Sequence, residues 1–185
     1  MDSTLSMVSF FGKQTFSNFS VSKEQCAFDF SIVPGNMVPS HFHKEADEIF
    51  KIANGELTFK MQGKKIIAKA GDTITVPKGV AHEIANRSKI TTNCRVTYLP
   101  CSDQDKFFKV WNFLIKKNVS KNGTMDMMAK GFYICRKLGN KDFSTPGNIA
   151  LRIPTELFIS VIMLVGNING WNKHAEEYNK SDYNF

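Results

Sequence analysis

Three of the four histidines in this 185-residue chain, His41, His43 and His82, lie in its first half, each beside a turn signal. His41 and His43 are separated by one residue. On a β-strand such a pair points to the same face, with Phe42 pointing the other way. Two imidazoles on one face can grip one metal ion together. After the short polar stretch 44–47 the chain returns with Glu48, Phe50 and Ile52 on one face, so Glu48 can stand beside the histidine pair on a neighbouring strand. His82 follows a further turn and shares its face with Ile84. The fourth histidine, His174, sits in a polar tail near Glu176 and Glu177, where solvation is the expectation.

The elements that must position these residues are short strands. Cys26, Phe28, Phe30 and Ile32 alternate with Ala27, Asp29 and Ser31, the period of a half-buried strand. Turn signals then recur: Pro34-Gly35-Asn36, Asn54-Gly55, Gln62-Gly63, Ala70-Gly71-Asp72 and Pro77-Lys78-Gly79. Between them Leu57, Phe59 and Met61 alternate with polar residues, Ile74 and Val76 form a brief run, and 91–99 is rich in β-branched residues up to Pro100. Closely spaced short strands predict a sandwich or barrel over residues ~20–100.

The pattern changes after Pro100. Ser102 with Asp105 resembles a helix start, and Phe107, Phe108, Trp111, Leu114 and Ile115 recur at helical spacing up to Lys116-Lys117. A second helix is expected over 125–137 and a third from near Pro154 to about Val165. The expected organisation is an N-terminal arm or first strand over 1–22, a β-barrel over 23–100, and a helical extension over 101–185, packed on the barrel or on a dimer partner.

Bulk composition limits the function classes. Hydrophobic residues make up 42% of the chain and include 16 Phe, enough for a buried core rather than global disorder. The net charge of +7 comes from scattered lysines and no basic amphipathic stretch, which argues against nucleic-acid binding. The longest apolar run, 157–165, is about half the ~20 residues that span a bilayer, so a buried helix is expected there and no membrane span. The four cysteines form no C-x-x-C pair, and no basic segment precedes a long apolar stretch at the N-terminus. Reduced thiols and a cytoplasmic location are therefore the expectation.

The spacing Gly35, five residues, His41, one residue, His43, four residues, Glu48, six residues, Gly55 resembles the first cupin motif throughout. Gly71, five residues, Pro77, one residue, Gly79, two residues, His82, three residues, Asn86 resembles the second. The resemblance implies a mostly β fold: a cupin double-stranded β-helix, or jelly-roll, barrel with C-terminal α-helices appended. It also implies one divalent transition metal held from the barrel interior by His41, His43, Glu48 and His82. Three imidazoles and one carboxylate suit Fe, Mn, Ni, Cu, Co or Zn rather than Mg or Ca. Open coordination positions would remain for water, dioxygen or substrate.

By parity, Met37, Phe50, Ile52, Phe59, Met61 and Ile84 are the candidate lining of a substrate pocket suited to a small, flat or partly apolar molecule. No further catalytic base is evident. Glu83 should point away from the site, Glu45 and Asp47 lie in a turn, and parity does not decide between Tyr98 and Arg95. Glu48 is thus the catalytic candidate for any proton transfer besides a metal-bound water. The resemblance to quercetin-dioxygenase-like cupins implies an oxygen-dependent oxidoreductase acting on a small organic molecule. A metal-dependent isomerase, lyase or decarboxylase and a non-catalytic binding or sensor module are the alternatives. A homodimer is expected by the same resemblance.

Overall fold

A computed structural model of the chain describes residues 7–8, 14–22, 24–119, 124–140 and 145–180. Eleven strands are found among the described residues. One sheet contains β1 (Met7–Val8), β2 (Gln14–Val21), β3 (Cys26–Ile32), β10 (Thr92–Leu99), β5 (Asp47–Asn54) and β8 (Thr73–Val76), in that spatial order. The other contains β11 (Thr145–Pro146), β4 (Met37–Phe42), β9 (His82–Ala85), β6 (Glu56–Met61) and β7 (Lys64–Lys69). Their neighbours pair antiparallel. The fold is the expected double-stranded β-helix with C-terminal helices.

Alternation in the sequence becomes burial. On β10 every second residue from Thr92 to Tyr98 is buried, and on β3 Phe28, Phe30 and Ile32 face inward. Phe50 of one sheet meets Phe59 of the other edge to face, with ring centroids 5.1 Å apart. That geometry adds to the stabilisation from burying both rings. At the Asn54-Gly55 turn, Gly55 takes a φ of +76°, and a Cβ there would lie 2.5 Å from the Thr92 hydroxyl. Glycine is required on both counts.

Four helices follow among the described residues: α1 (Gln104–Lys116), α2 (Thr124–Lys137), α3 (Ile149–Ile168) and α4 (Asn172–Lys180). The first begins at Gln104 after Asp103, whose carboxylate bonds Lys106 Nζ at 2.8 Å rather than capping the helix, while Ser102 takes a positive φ. The cap expected at Ser102 is therefore not formed. Phe108 and Trp111 of α1 are buried against the barrel and α2. The indole fits because Gly131 of α2 has no Cβ to collide with it.

The third helix starts five residues before the expected Pro154. Asn148 caps it, accepting from Ala150 N at 2.9 Å, a cap the apolar periodicity did not reveal. The expectation of a buried helix over 157–165 is also corrected. Ile162 is buried, but Leu157, Phe158, Val161, Leu164 and Val165 are exposed, because only one side of α3 packs on α2.

A further correction concerns the thiols. Cys26 and Cys101 form a disulfide, with Cα atoms 4.8 Å apart. Cys26 stands opposite Tyr98 in the β3–β10 ladder, so the turn after β10 lays Cys101 against it. Cys94 and Cys135 are free and buried, and burial pushes the Cys94 thiol up to about 12.

Candidate metal centre

The four residues singled out by spacing converge. One side-chain atom from each of His41, His43, Glu48 and His82 lies within 4.8 Å of the others, and all four residues are buried. Sheet register brings them together. His41 on β4 is the direct partner of His82 on β9, and Glu48 on β5 is the partner of Tyr98 on β10. The turn that carries Gly79 is tied to the ligand loop by a 2.7 Å bond from Gly79 N to the His43 carbonyl.

The outer side of each imidazole is held. His41 Nδ1 lies 2.8 Å from the Pro39 carbonyl and His82 Nδ1 lies 3.2 Å from that of Val80. Each carbonyl accepts from Nδ1–H, which leaves Nε2 as a lone-pair donor. The Gln104 amide lies 3.2 Å from His43 Nδ1, and a half-turn of the amide would present its oxygen as the acceptor. Tyr98 donates to Glu48 Oε1 at 2.6 Å, leaving Oε2 facing inward.

That inward set is what a cation would satisfy. Glu48 Oε2 lies 2.8 Å from His82 Nε2 and 3.5 Å from His43 Nε2, yet none of the three buried atoms has an aligned hydrogen-bond partner. Buried polar atoms left in this way are costly. A divalent metal among them removes the cost, so the residues fit the group. Three nitrogens and one carboxylate oxygen are a donor set for a transition metal.

Charge distribution agrees at His41, Glu48 and Tyr98. Burial drives the His41 imidazole down to about 4, which keeps it neutral as a ligand must be. Burial opposes the charge on Glu48, but His43 and His82 beside it hold its carboxyl well below the usual range. Burial likewise opposes a charge on His82, while the neighbouring carboxylate raises it above the ordinary value. Burial, with the Glu48 charge, pushes the Tyr98 phenol well above its ordinary value, so it stays a donor.

Two expected results follow from these partners. Tyr98→Phe should keep the fold and weaken metal binding by ~10- to 100-fold, the usual cost of losing an outer hydrogen bond to a ligand. Competition with a chelator measures it. Acidification should release the metal, because protons compete for the ligands and lower pH favours the protonated side chains. Glu48 raises His82 in the metal-free site, so protons compete with the metal more effectively there. Metal retention measured across a pH series tests the sign.

A cavity of about 330 Å³ opens on His41, His43 and Glu48. Rings dominate its wall: Phe28, Phe30, Phe50, Phe108, Trp111 and Tyr98 among others. Of the expected pocket residues, Phe50 and Ile84 lie on this wall. Phe59 and Ile52 are buried in the core outside it, and Met61 is half-buried opposite His82 in the β6–β9 ladder. Met37 is 40% exposed. The β4–β9 register shifts between Val38 and His41, which breaks the parity linking Met37 to the histidines and puts Val38 on the wall instead.

Several participants were not singled out from sequence. Gln14 and Phe16 come from β2, and Gln104, Phe107 and Phe108 from α1, so the first strand segment and the helices close the barrel mouth. The undecided pair is separated: Tyr98 points in, while Arg95 points out to Asp29 at 2.9 Å. Glu83 faces away, toward Lys60 at 3.1 Å. His174 lies on α4, 3.7 Å from Glu177, and is partly buried rather than fully solvated.

Comparison with known proteins matches the cupin domain to residues 28–97, a span that contains all four ligands. The match covers 70 of the 185 residues. Solved structures align with about half of the chain at low identity. KdgF from a Halomonas species is 16% identical over 49% of this chain and 83% of its own, with a TM-score of 0.46. A predicted oxalate decarboxylase from Thermotoga maritima is 23% identical over 52% and 90%, with a TM-score of 0.46. The cupin domain of Cnp3 from Schizosaccharomyces pombe is 19% identical over 50% and 69%, with a TM-score of 0.45. No curated protein matches the sequence. Outside the matched residues lie β1, β2, β11 and the four described helices, including the residues of β2, α1 and α2 that complete the cavity.

Proposed function

We propose that the chain is a metal-dependent oxidoreductase that uses dioxygen on a small, uncharged, largely apolar organic molecule, as in quercetin-dioxygenase-like cupins. The observation that carries this reading is the cavity wall. Among the described residues, apart from the ligands, it offers rings, aliphatic side chains, the Met128 thioether and two amides, Gln14 and Gln104, and no charged group. A molecule held there by its apolar body can reach the ligand cluster only with its polar end. A small dianion would find no cation on the wall to offset its desolvation.

The same wall disfavours a proton-shuttling isomerase or lyase. Among the described residues its one titratable side chain besides the ligands is Tyr98, whose phenol is pushed far above neutral pH and engaged with Glu48. When bound, a redox-active metal supplies electron transfer between substrate and oxygen and a positive charge for a substrate oxygen. The chain itself excludes water with its aromatic wall, orients the ligands through Tyr98 and Gln104, and keeps Glu48 ionised.

Glu48 remains the candidate for any proton transfer, although both of its oxygens are directed to other groups. Glu48→Gln separates the roles: turnover unchanged with the metal retained would remove a base role. The working assembly in this reading is a homodimer with one metal and one small-molecule ligand per chain.

Oxygen uptake by metal-loaded protein, measured against a panel of neutral aromatic compounds and small carboxylates, tests the function. Substrate-dependent uptake with a neutral compound, lost in His41→Ala, is expected. Turnover that proceeds equally without oxygen would transfer the assignment to the isomerase and lyase class. Binding with no turnover would leave a ligand-binding module.

A further inference from the structure

The outer face of α3 is as apolar as its inner face. Ile162 and Gly166 pack inward, and a Cβ on Gly166 would collide with Tyr133. At 100° per residue, Ile153, Leu157, Val161, Leu164 and Ile168 fall on the opposite side as one stripe. They are 80%, 66%, 50%, 61% and 74% exposed, and Phe158 and Val165 widen the stripe on one flank. The exposed parts of these seven side chains amount to on the order of 700 Å². That exceeds the largest apolar patch of an ordinary monomer and approaches the ~800 Å² per partner of a stable interface.

The stripe also reads the same in both directions. The step from Ile153 to Leu157 equals that from Leu164 to Ile168, and Val161 lies beside the midpoint. We infer that α3 is the docking surface for a second copy of this chain, paired antiparallel across a two-fold axis near Val161. Ile153 then meets the partner's Ile168, and Leu157 meets the partner's Leu164. A two-fold interface requires such self-complementarity, since each residue pair occurs twice.

Charge does not oppose the contact despite a net +7 for the chain. The charged residues of α3 are Arg152 and Glu156, and Glu156 is already paired with Arg136 at 2.7 Å. An interfacial membrane helix would carry lysines or arginines along its polar flank. Here that flank carries Glu156, Ser160 and Asn167. No single described helix is long and apolar enough to cross a bilayer; α3 and α4 meet that length and composition only together, as a pair bent by 86°. The stripe lies outside the metal centre, so this inference stands apart from the proposed activity.

Light scattering on the eluting protein tests it with three forms of the full chain. The natural sequence should run at twice the 20.9 kDa chain mass, and Leu157→Glu should halve the measured mass. Adding Leu164→Lys to Leu157→Glu places opposite charges across the antiparallel contact twice and should restore the double mass. A cooperative thermal transition followed by circular dichroism in each form verifies that it is folded. A monomeric natural chain, a dimer that Leu157→Glu leaves intact, or a double variant that stays monomeric would each overturn the inference. So would a monomer that floats with phosphatidylcholine–phosphatidylglycerol vesicles, which would assign the stripe to a membrane surface.

Discussion

Replacing His82 with alanine is expected to abolish stoichiometric metal binding and the stabilisation that comes with it. His82 is the least exposed of the four ligands, its Nε2 lies 2.8 Å from Glu48 Oε2, and its ring sits 4.3 Å from that of His41. Removing it deletes a donor and leaves the Glu48 carboxylate buried with less compensating charge. The affinity loss should exceed the ~10- to 100-fold carried by outer partners such as Tyr98. A ligand that binds only the folded state stabilises by about 4 kcal/mol when present at a thousand times its Kd. Metal addition should therefore raise the melting temperature of the natural chain and leave that of His82→Ala unmoved. An equal rise in both would place the bound metal elsewhere.

The second large effect is expected at Phe108. Its ring meets Phe28 at 4.6 Å, Phe107 at 5.2 Å, Phe19 at 5.3 Å and Phe16 at 5.5 Å between centroids, so it ties α1 to β2 and β3. Truncation to alanine removes these contacts and leaves a void, at a cost of about 3–5 kcal/mol. The void would merge with the cavity beside the ligands, which Phe108 already lines. Gln104 stands one helical turn before it, so loosening α1 should also weaken the support of His43. Denaturant unfolding measures the first consequence and chelator competition the second. A loss under 1 kcal/mol would mean that the helix is held by other contacts.

These two sites differ in how far the sequence reveals them. The ligands were legible because sheet periodicity and turn residues act locally. A two-residue period aligns His41 with His43, a short turn returns Glu48 beside them, and the Pro77–Gly79 turn delivers His82. The groups that hold the ligands were not legible, because they come from distant segments. Gln104 reaches His43 across 61 positions and Tyr98 reaches Glu48 across 50. Such pairings depend on strand order and helix docking, which periodicity does not encode.

Parity failed for Met37 for a local reason. The irregular register after Val38 inserts a step that the sequence marks only by Pro39. Burial of α3 was misjudged because apolar composition does not distinguish one covered side from two. The disulfide was equally hidden, since Cys26 and Cys101 are 75 positions apart and meet only through the β3–β10 ladder.

The most direct test is elemental mass spectrometry on protein purified without a histidine tag or chelator, beside the His41→Ala variant. About one equivalent of iron, manganese, nickel, copper, cobalt or zinc per chain is expected in the natural sequence and a trace in the variant. No metal in the natural chain, even after reconstitution with each of these ions, would contradict the assignment of His41, His43, Glu48 and His82 as a metal centre.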